Sequence, residues 1–108
     1  MVTIAESDAL TLRARELFAV EHAKLLSRTP RSKALFERAS ASMPLGVASS
    51  FQAADPYPIY LAAGRGAEVW DVDDMSYVDF HNGFGTMVVG HAHPKIVEAL
   101  SRAARRGT

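Results

Sequence analysis

Residues Gly66 to Leu100 read GAEVWDVDDMSYVDFHNGFGTMVVGHAHPKIVEAL, and they contain the clearest secondary-structure signals of the chain. Two segments rich in β-branched and aromatic residues, Ala67–Val72 and Ser76–Phe80, flank Asp73 and Asp74. This arrangement predicts an antiparallel hairpin. Because aspartate tolerates a left-handed turn position less well than glycine, we expect a slightly strained turn or one of a different type.

The end of this region predicts an amphipathic helix. Pro94 suits a first helical position, and we expect the helix to run from Pro94 to Arg106. Gly107 is expected to be its C-cap. Arginines in the last turn oppose the negative end of the helix dipole, so they need no anionic partner. The apolar stripe of this helix consists of Ile96, Val97, Leu100, Ala103 and Ala104.

Residues 5–43 have helical patterning and predict two helices. Ser7 or Asp8 is expected to cap the first helix. The second is expected to start with Thr29 as N-cap and Pro30 at the first helical position. The first helix has an apolar face of Leu10, Ala14, Leu17, Phe18 and Leu25, and the second has one of Leu35, Phe36, Ala39 and Met43.

Between these helices and the hairpin, the sequence predicts a linker and one more strand. Pro44 and Gly46 are expected to end the second helix, and residues 44–58 contain three prolines and no sustained period. A short strand is expected over Ile59–Ala63, followed by a turn at Gly64–Gly66. With residues 59–80 as strands and 81–108 as a loop and helix, the pattern is that of an α+β fragment whose elements do not close an obvious core.

The bulk composition narrows the possible functions. Twelve Lys and Arg balance twelve Asp and Glu, so nothing favours nucleic acid or an anionic membrane as a partner. There are no cysteines, which excludes disulfides and thiolate chemistry and favours the cytoplasm. The first ten residues lack the charge and apolar run of a signal peptide, and no apolar run has membrane-spanning length.

Each candidate catalytic motif has a simpler structural interpretation. His91 and His93 lack the further ligands that zinc needs, so we expect His91 to hydrogen-bond in the loop and His93 to cap the helix. Ser49 and Ser50 have no His–Asp partners in suitable context. Trp70 and Tyr77 are expected to take part in cross-strand packing. Paired carboxylates could do acid–base work, but a solvated face is favoured for Asp71, Asp73, Asp74 and Asp79.

The glycine-rich segment Asn82–Gly85 does not match a G-x-G-x-x-G fingerprint. Its glycines are expected to allow positive φ and the close approach of another backbone or a ligand. Phe84, which lies between two of them, is either a core residue or a pocket wall, and spacing alone favours the core.

Four segments, taken in order, resemble class III aminotransferases, which use pyridoxal 5′-phosphate (PLP), with the glutamate-1-semialdehyde aminomutase-like branch the nearest. They are SKALFERASASMPLGVASSF from Ser32, GAEVWDVDDMSYVDF from Gly66, GHAHPKIVEAL from Gly90 and RRGT from Arg105. The resemblance implies a piece of a fold type I PLP-dependent transferase, whose large domain is α/β. Residues 5–43 and 59–80 would be N-terminal helices and small-domain strands, and residues 81–108 would lead to the PLP-binding domain.

The resemblance assigns three substrate-binding positions and no catalytic one. Ser49 matches the serine of the family's PGGVNSPVR-type loop, which faces the substrate. Gln52 stands where the aminomutases have an arginine that holds a substrate carboxylate, and Phe84 replaces an active-site tryptophan, which favours its interpretation as a pocket wall. Two family glycines are also replaced, one by Leu45 in the same loop and one by Asp74 in the hairpin.

The resemblance also implies a small-molecule amine or amino acid substrate and a homodimer. The Schiff-base lysine, the aspartate that pairs with the pyridine nitrogen and the phosphate-binding turn have no counterpart here. Lys24, Lys33 and Lys95 are not in a matching context, so we expect the chain not to bind PLP by itself. The first hypothesis is therefore the N-terminal part of an aminotransferase or aminomutase. The alternative is a non-catalytic truncated product or a small interaction module derived from such an enzyme.

Overall fold

The computed structural model describes the backbone of residues 4–107 and the side chains of residues 8–107. The chain divides into two compact units, with the boundary between Pro30 and Arg31. The first unit is dominated by helix α1, Ile4–Arg28. Ser7 and Asp8 lie inside α1, so the prediction that either caps it is wrong.

Helix α2, Pro30–Ser40, starts at the predicted proline and ends before Met43. The linker that follows contains two short 3₁₀ turns, Pro44–Gly46 and Ser50–Gln52, and is otherwise irregular, as predicted. None of the helices in residues 4–107 combines the length and apolar composition that crossing a membrane requires.

A three-stranded antiparallel sheet follows in the order β1–β2–β3. Its strands are β1, Leu61–Arg65, β2, Glu68–Asp71, and β3, Ser76–Val78. The predicted hairpin around Asp73 and Asp74 is confirmed, with Val69 opposite Tyr77. Trp70 lies opposite Ser76 in the same pair of strands.

Strand β1 is displaced by two residues from its predicted position. Arg65 pairs with Glu68, which leaves only Gly66 and Ala67 in the turn. Gly66 supplies the positive φ of 60° that this turn needs, so Gly64 and Arg65 stay in the strand. Both backbone groups of Gly66 also pair with His91, at 2.8 and 2.9 Å.

The rest of the chain contains a single helical turn, Asn82–Gly85, which we call α3, and helix α4, Pro94–Ala104. The predicted helix from Pro94 is thus confirmed. Arg105 rather than Gly107 is its C-cap, and Gly107 adopts a φ of 93° two residues later.

The buried core is small. Among the described side chains, the buried apolar ones are Tyr57 and Val69, which are 4% and 5% exposed, and Pro58. Tyr57 packs against Phe36 of α2 at 6.3 Å between ring centroids. The hydroxyl of Tyr60 donates to the Gly46 carbonyl at 2.6 Å and thereby ties the linker to the sheet. This agrees with the expectation that the elements do not close a large core.

Candidate functional site

The turn α3 is left-handed. Asn82, Gly83, Phe84 and Gly85 have φ values of 52°, 55°, 58° and 80°. The expectation that the glycines allow positive φ is confirmed, but Asn82 and Phe84 also adopt this conformation. For an L-residue it costs about 1–2 kcal/mol. Backbone strain of this kind concentrates at functional sites, which draws attention to the surroundings of α3.

Asp79, just after β3, organises the start of this turn. Its Oδ1 accepts hydrogen bonds from the backbone N–H groups of His81, at 2.8 Å, and Asn82, at 2.9 Å. Its Oδ2 lies 2.6 Å from Nε2 of His91. The bond from His91, with those from the two backbone groups, holds the pKa of Asp79 below its ordinary value of 3.8.

A cleft of about 570 Å³ lies beside this turn. Five residues of its lining have polar side chains, and the others are apolar or glycine; the polar ones are Gln52, Tyr60, Asp79, His81 and His91. A concave apolar site with a few convergent polar groups is the usual form of a small-molecule site. The apolar residues of the lining are Met43, Gly46, Val47, Ala48, Pro58, Ile59, Leu61 and Gly83.

The three predicted substrate-binding residues lie in or near this cleft. Gln52 lines it. Ser49 is exposed and precedes the 3₁₀ turn that ends at Gln52, and its carbonyl accepts from the Gln52 N–H at 2.9 Å. Phe84 is 67% exposed, so the spacing argument for a core position is wrong.

Phe84 contacts two aromatic rings next to the cleft. The ring of His81 is 4.2 Å away between centroids and nearly perpendicular, and Nδ1 of His81 accepts from the Phe84 N–H at 3.3 Å. Phe51, the neighbour of Gln52, makes an edge-to-face contact with Phe84 at 6.2 Å. The linker and the left-handed turn therefore meet at Phe84.

Three of the four hairpin carboxylates are not on a solvated face, so that prediction is wrong for them. Asp71 is 1% exposed and accepts from the N–H groups of Asp73 and Met75 and from the hydroxyl of Tyr77. Asp73 binds the N-terminus of α2, and the Asp79 side chain is only 11% exposed. Asp74 is the solvated one, with its side chain 85% exposed.

Sequence reasoning missed Asp79, His81 and Tyr60 as cleft residues. Asp79 is followed by Asn82 and Gly83, which are typical turn residues, and an aspartate before a turn often accepts hydrogen bonds from the turn backbone. The sequence therefore contained a signal for Asp79. The prediction that His91 hydrogen-bonds in the loop region is confirmed by its contact with Asp79. The signal for Tyr60 is long-range, because its partner is the carbonyl of Gly46.

The second histidine behaves differently from its prediction. His93 occupies the N-cap position of α4, but its side chain makes no capping hydrogen bond. Its Nδ1 is buried without a hydrogen-bond partner. No group of three His, Asp or Glu side chains able to hold a metal occurs within the described residues.

The three lysines of this chain have the following positions. Lys24 pairs with Glu21 at 2.6 Å on α1, and Lys33 faces Glu37 at 3.7 Å on α2. Lys95 is exposed on α4. None of these three lysines belongs to the cleft lining of the described chain.

Comparison with known proteins gives a consistent result. A family model described as aminotransferase class III matches residues 50–108. The glutamate-1-semialdehyde 2,1-aminomutase of Desulfitobacterium hafniense (strain DSM 10664 / DCB-2) is 44% identical over 81 residues, which are 72% of this chain and 19% of that protein. The chain thus spans about a fifth of the length of that curated relative.

Two solved structures resemble the chain in fold as well as in sequence. A transaminase with PLP bound is 44% identical, with a TM-score of 0.71 over 74% of this chain and 19% of that one. A β-phenylalanine aminotransferase from Variovorax paradoxus is 30% identical, with a TM-score of 0.80 over 86% of this chain and 22% of that one.

Proposed function

Because this chain belongs to the class III aminotransferase family, we propose that it supplies the N-terminal, substrate-side part of a PLP-dependent enzyme. The reaction moves an amino group between an amine or amino acid and an aldehyde or keto acid. The observation that carries the proposal is the cleft, in which Gln52 lies beside the turn that presents Phe84. In this proposal residues 5–43 are the N-terminal helices, residues 59–80 are small-domain strands, and residues 81–108 lead into the PLP-binding domain.

Within the family, the residue at position 52 favours a transaminase over the aminomutase. A neutral amide accepts and donates single hydrogen bonds, whereas arginine binds a carboxylate with two parallel, charge-assisted ones. Phe84 adds an apolar wall that can contact an aryl or alkyl group. The proposed substrates are therefore amines or amino acids other than glutamate-1-semialdehyde, and the Variovorax paradoxus relative is described as acting on such an amino acid.

The test is the substitution Gln52→Arg in the complete product of the reading frame that encodes this chain. We expect KM for carboxylate-bearing donors to fall by a factor of about 30, which corresponds to about 2 kcal/mol of added binding. Gln52→Met is the matched control, since it keeps the length of the side chain without charge or hydrogen bonds. Efficient turnover of glutamate-1-semialdehyde by the unaltered protein, with no effect of Gln52→Arg, would show that position 52 does not bind the carboxylate.

We also propose that the 108-residue chain by itself does not bind PLP covalently. The pairing of Lys24 and Lys33 with glutamates and the position of Lys95 outside the cleft support this. The measurement is the visible spectrum after addition of one equivalent of PLP. We expect only the spectrum of the free cofactor, and a stoichiometric new band that one lysine substitution abolishes would contradict the proposal.

The proposed assembly is a homodimer that works in the cytoplasm. Zero cysteines fit a reducing compartment. Size-exclusion chromatography with light scattering on the complete product tests the dimer, and a monomer at micromolar concentration would overturn it.

A further inference from the structure

The left-handed turn Asn82–Gly85 needs support from outside, because two of its residues carry a Cβ in a conformation that favours glycine. Strained backbone persists where the surrounding structure determines it, and it is often part of a binding site. The turn also positions the ring of Phe84 next to Phe51 and His81. The contacts that fix this turn therefore decide where the aromatic wall of the cleft lies.

The support comes from one carboxylate. Oδ1 of Asp79 binds the N–H groups of His81 and Asn82, which directly precede and begin the turn. Oδ2 is bound by His91 at 2.6 Å. The side chains of Asp79 and His91 are 11% and 21% exposed, so solvent competes weakly for this bond.

His91 is in turn fixed by the sheet. Its backbone N–H and carbonyl pair with Gly66, at the turn between β1 and β2. Its ring lies against Gly64 so closely that a Cβ there would come within 2.7 Å of the ring Cγ. A continuous set of contacts thus runs from β1 through His91 and Asp79 to the left-handed turn.

From these contacts we propose that Asp79 and His91 are positioning residues, which hold the left-handed turn so that Phe84 faces the substrate. The inference rests on the proposed function only in treating the cleft as the substrate site. The hydrogen bond between the two side chains performs this role, and the packing of the His91 ring does not.

Two amide variants of His91 separate the hydrogen bond from the packing. In His91→Gln the amide nitrogen takes the place of Nε2 and can still donate to Asp79. In His91→Asn it takes the place of Nδ1 and falls short of Asp79. Nuclear magnetic resonance of the 108-residue chain reports on the turn through the nuclear Overhauser effect between the rings of Phe51 and Phe84.

In His91→Asn we expect this effect to lose at least half its intensity and the pKa of the Asp79 carboxyl to move up toward 3.8. The contacts between Val69 and Tyr77 should stay unchanged as an internal reference. His91→Gln should restore the ring contact. Equal perturbation by both variants would assign the effect to ring packing, and an unperturbed turn in His91→Asn would also overturn the proposal.

Gly64→Ala provides an independent variant if His91→Asn does not fold. It leaves both side chains chemically intact and displaces the His91 ring, so the same loss of ring contact and the same rise of the Asp79 pKa are expected. A folded Gly64→Ala chain with an unchanged Asp79 titration would contradict the proposal. These measurements need no activity, so a complete product that fails to transaminate would overturn the proposed function and the substrate-facing role of Phe84, but not the support of the turn by Asp79 and His91.

Discussion

Leu45 and Asp74 show how single residues tolerate a conformation that usually belongs to glycine. Their φ values are 58° and 66°, in the left-handed region. The motif resemblance to class III aminotransferases implies a glycine at both positions. Aspartate enters this region more easily than leucine because its short polar side chain can bond locally. The strain should therefore be larger at Leu45.

We predict that Leu45→Gly stabilises the chain by about 0.5–1 kcal/mol. The substitution removes a left-handed strain of about 1–2 kcal/mol, and the greater freedom of glycine in the unfolded chain offsets about half of it. Leu45 is 59% exposed, so little buried surface is lost. Urea denaturation measures the change, and a lower free energy of unfolding for Leu45→Gly would show that the leucine side chain contributes more than its backbone costs.

Gly46, the next residue, provides a control for which the expected change in stability has the opposite sign. Gly46 has a φ of 67°, and a Cβ there would lie 2.7 Å from the Phe36 ring. Gly46→Ala should therefore destabilise the chain by about 1–3 kcal/mol. Equal effects of the two substitutions would contradict the strain argument.

Asp71 illustrates what a single sequence does not reveal about a residue. Its alternation on a strand suggests a solvated face, yet it is buried and accepts three hydrogen bonds. Two of the donors are backbone groups of the turn that follows, and the third is the hydroxyl of Tyr77. Local alternation carries no information on which face a small domain covers, so the burial of Asp71 could not be predicted.

At the scale of elements, helix α2 obtains its N-terminal capping from the hairpin. The two oxygens of Asp73 accept from the N–H groups of Arg31, at 2.7 Å, and Ser32, at 2.8 Å. The hydroxyl of Thr29, the predicted cap, donates to the Leu25 carbonyl at 2.7 Å. The start of α2 was predictable from Pro30, but a cap that lies more than forty residues away was not.

We predict that the stability provided by this cap depends on pH in the acidic range. Burial by itself would raise the pKa of Asp73, but the bonds from Arg31 and Ser32 outweigh it and lower the pKa below 3.8. A lowered pKa means that the contribution is complete above the unfolded value and is lost as the pH falls through the folded one. In Asp73→Asn one of the two accepting oxygens becomes an N–H donor that faces a backbone N–H, so we expect a lower free energy of unfolding than for the unaltered chain at pH 7, and a difference that shrinks as the pH falls below 3.8 toward the lowered pKa of Asp73.

Asp74→Asn is the matched control for this experiment. It alters the neighbouring carboxylate of the same turn, which is 85% exposed and pairs with the exposed side chain of Arg31. Exposed pairs contribute little, so we expect a pH profile close to that of the unaltered chain. Thermal unfolding of the three proteins between pH 2 and pH 7 gives the comparison, and parallel profiles for Asp73→Asn and Asp74→Asn would rule out the cap as the source.

The elements that the sequence predicted well are those with strong local signals. The hairpin has β-branched residues on both sides of a turn, and α4 has both a proline start and an apolar stripe. The prediction placed β1 two residues too early in the chain, because a segment with two glycines, Gly64–Gly66, is typical of a turn. The close approach of His91 to Gly64 explains why a glycine is needed inside that strand.

At the scale of the whole molecule, the membership in the family and the α+β architecture inferred from motifs are confirmed by the comparisons. Gln52 lines the cleft and Phe84 follows the lining residue Gly83, and the assignment of both to the substrate site stays a prediction. The His91–Asp79 pair, which also lines the cleft, was predicted only as far as a hydrogen bond of His91 in the loop. This contact joins residues twelve positions apart, and it forms because the fold of the sheet brings them together. The sequence pattern alone does not contain that information.

The described part of the chain also exposes much apolar surface. The apolar stripe of α4 is exposed, since Ile96, Val97 and Leu100 are 50%, 48% and 65% exposed. With Val88 and Val89 they line an apolar groove of about 590 Å³. Contiguous apolar surface of this kind favours association.

We therefore predict that the 108-residue chain self-associates reversibly at micromolar concentration and binds a hydrophobic dye. Leu100→Glu should reduce both signals several-fold, because a charge in the groove opposes its burial. Arg102→Gln changes the net charge by the same amount on the opposite face of α4, where Arg102 pairs with Glu98, and should leave association unchanged. Light scattering over a concentration series measures the effect. A chain that stays monomeric throughout, without dye binding and with a sharp thermal transition, would mean that this surface is too small or too divided to drive association.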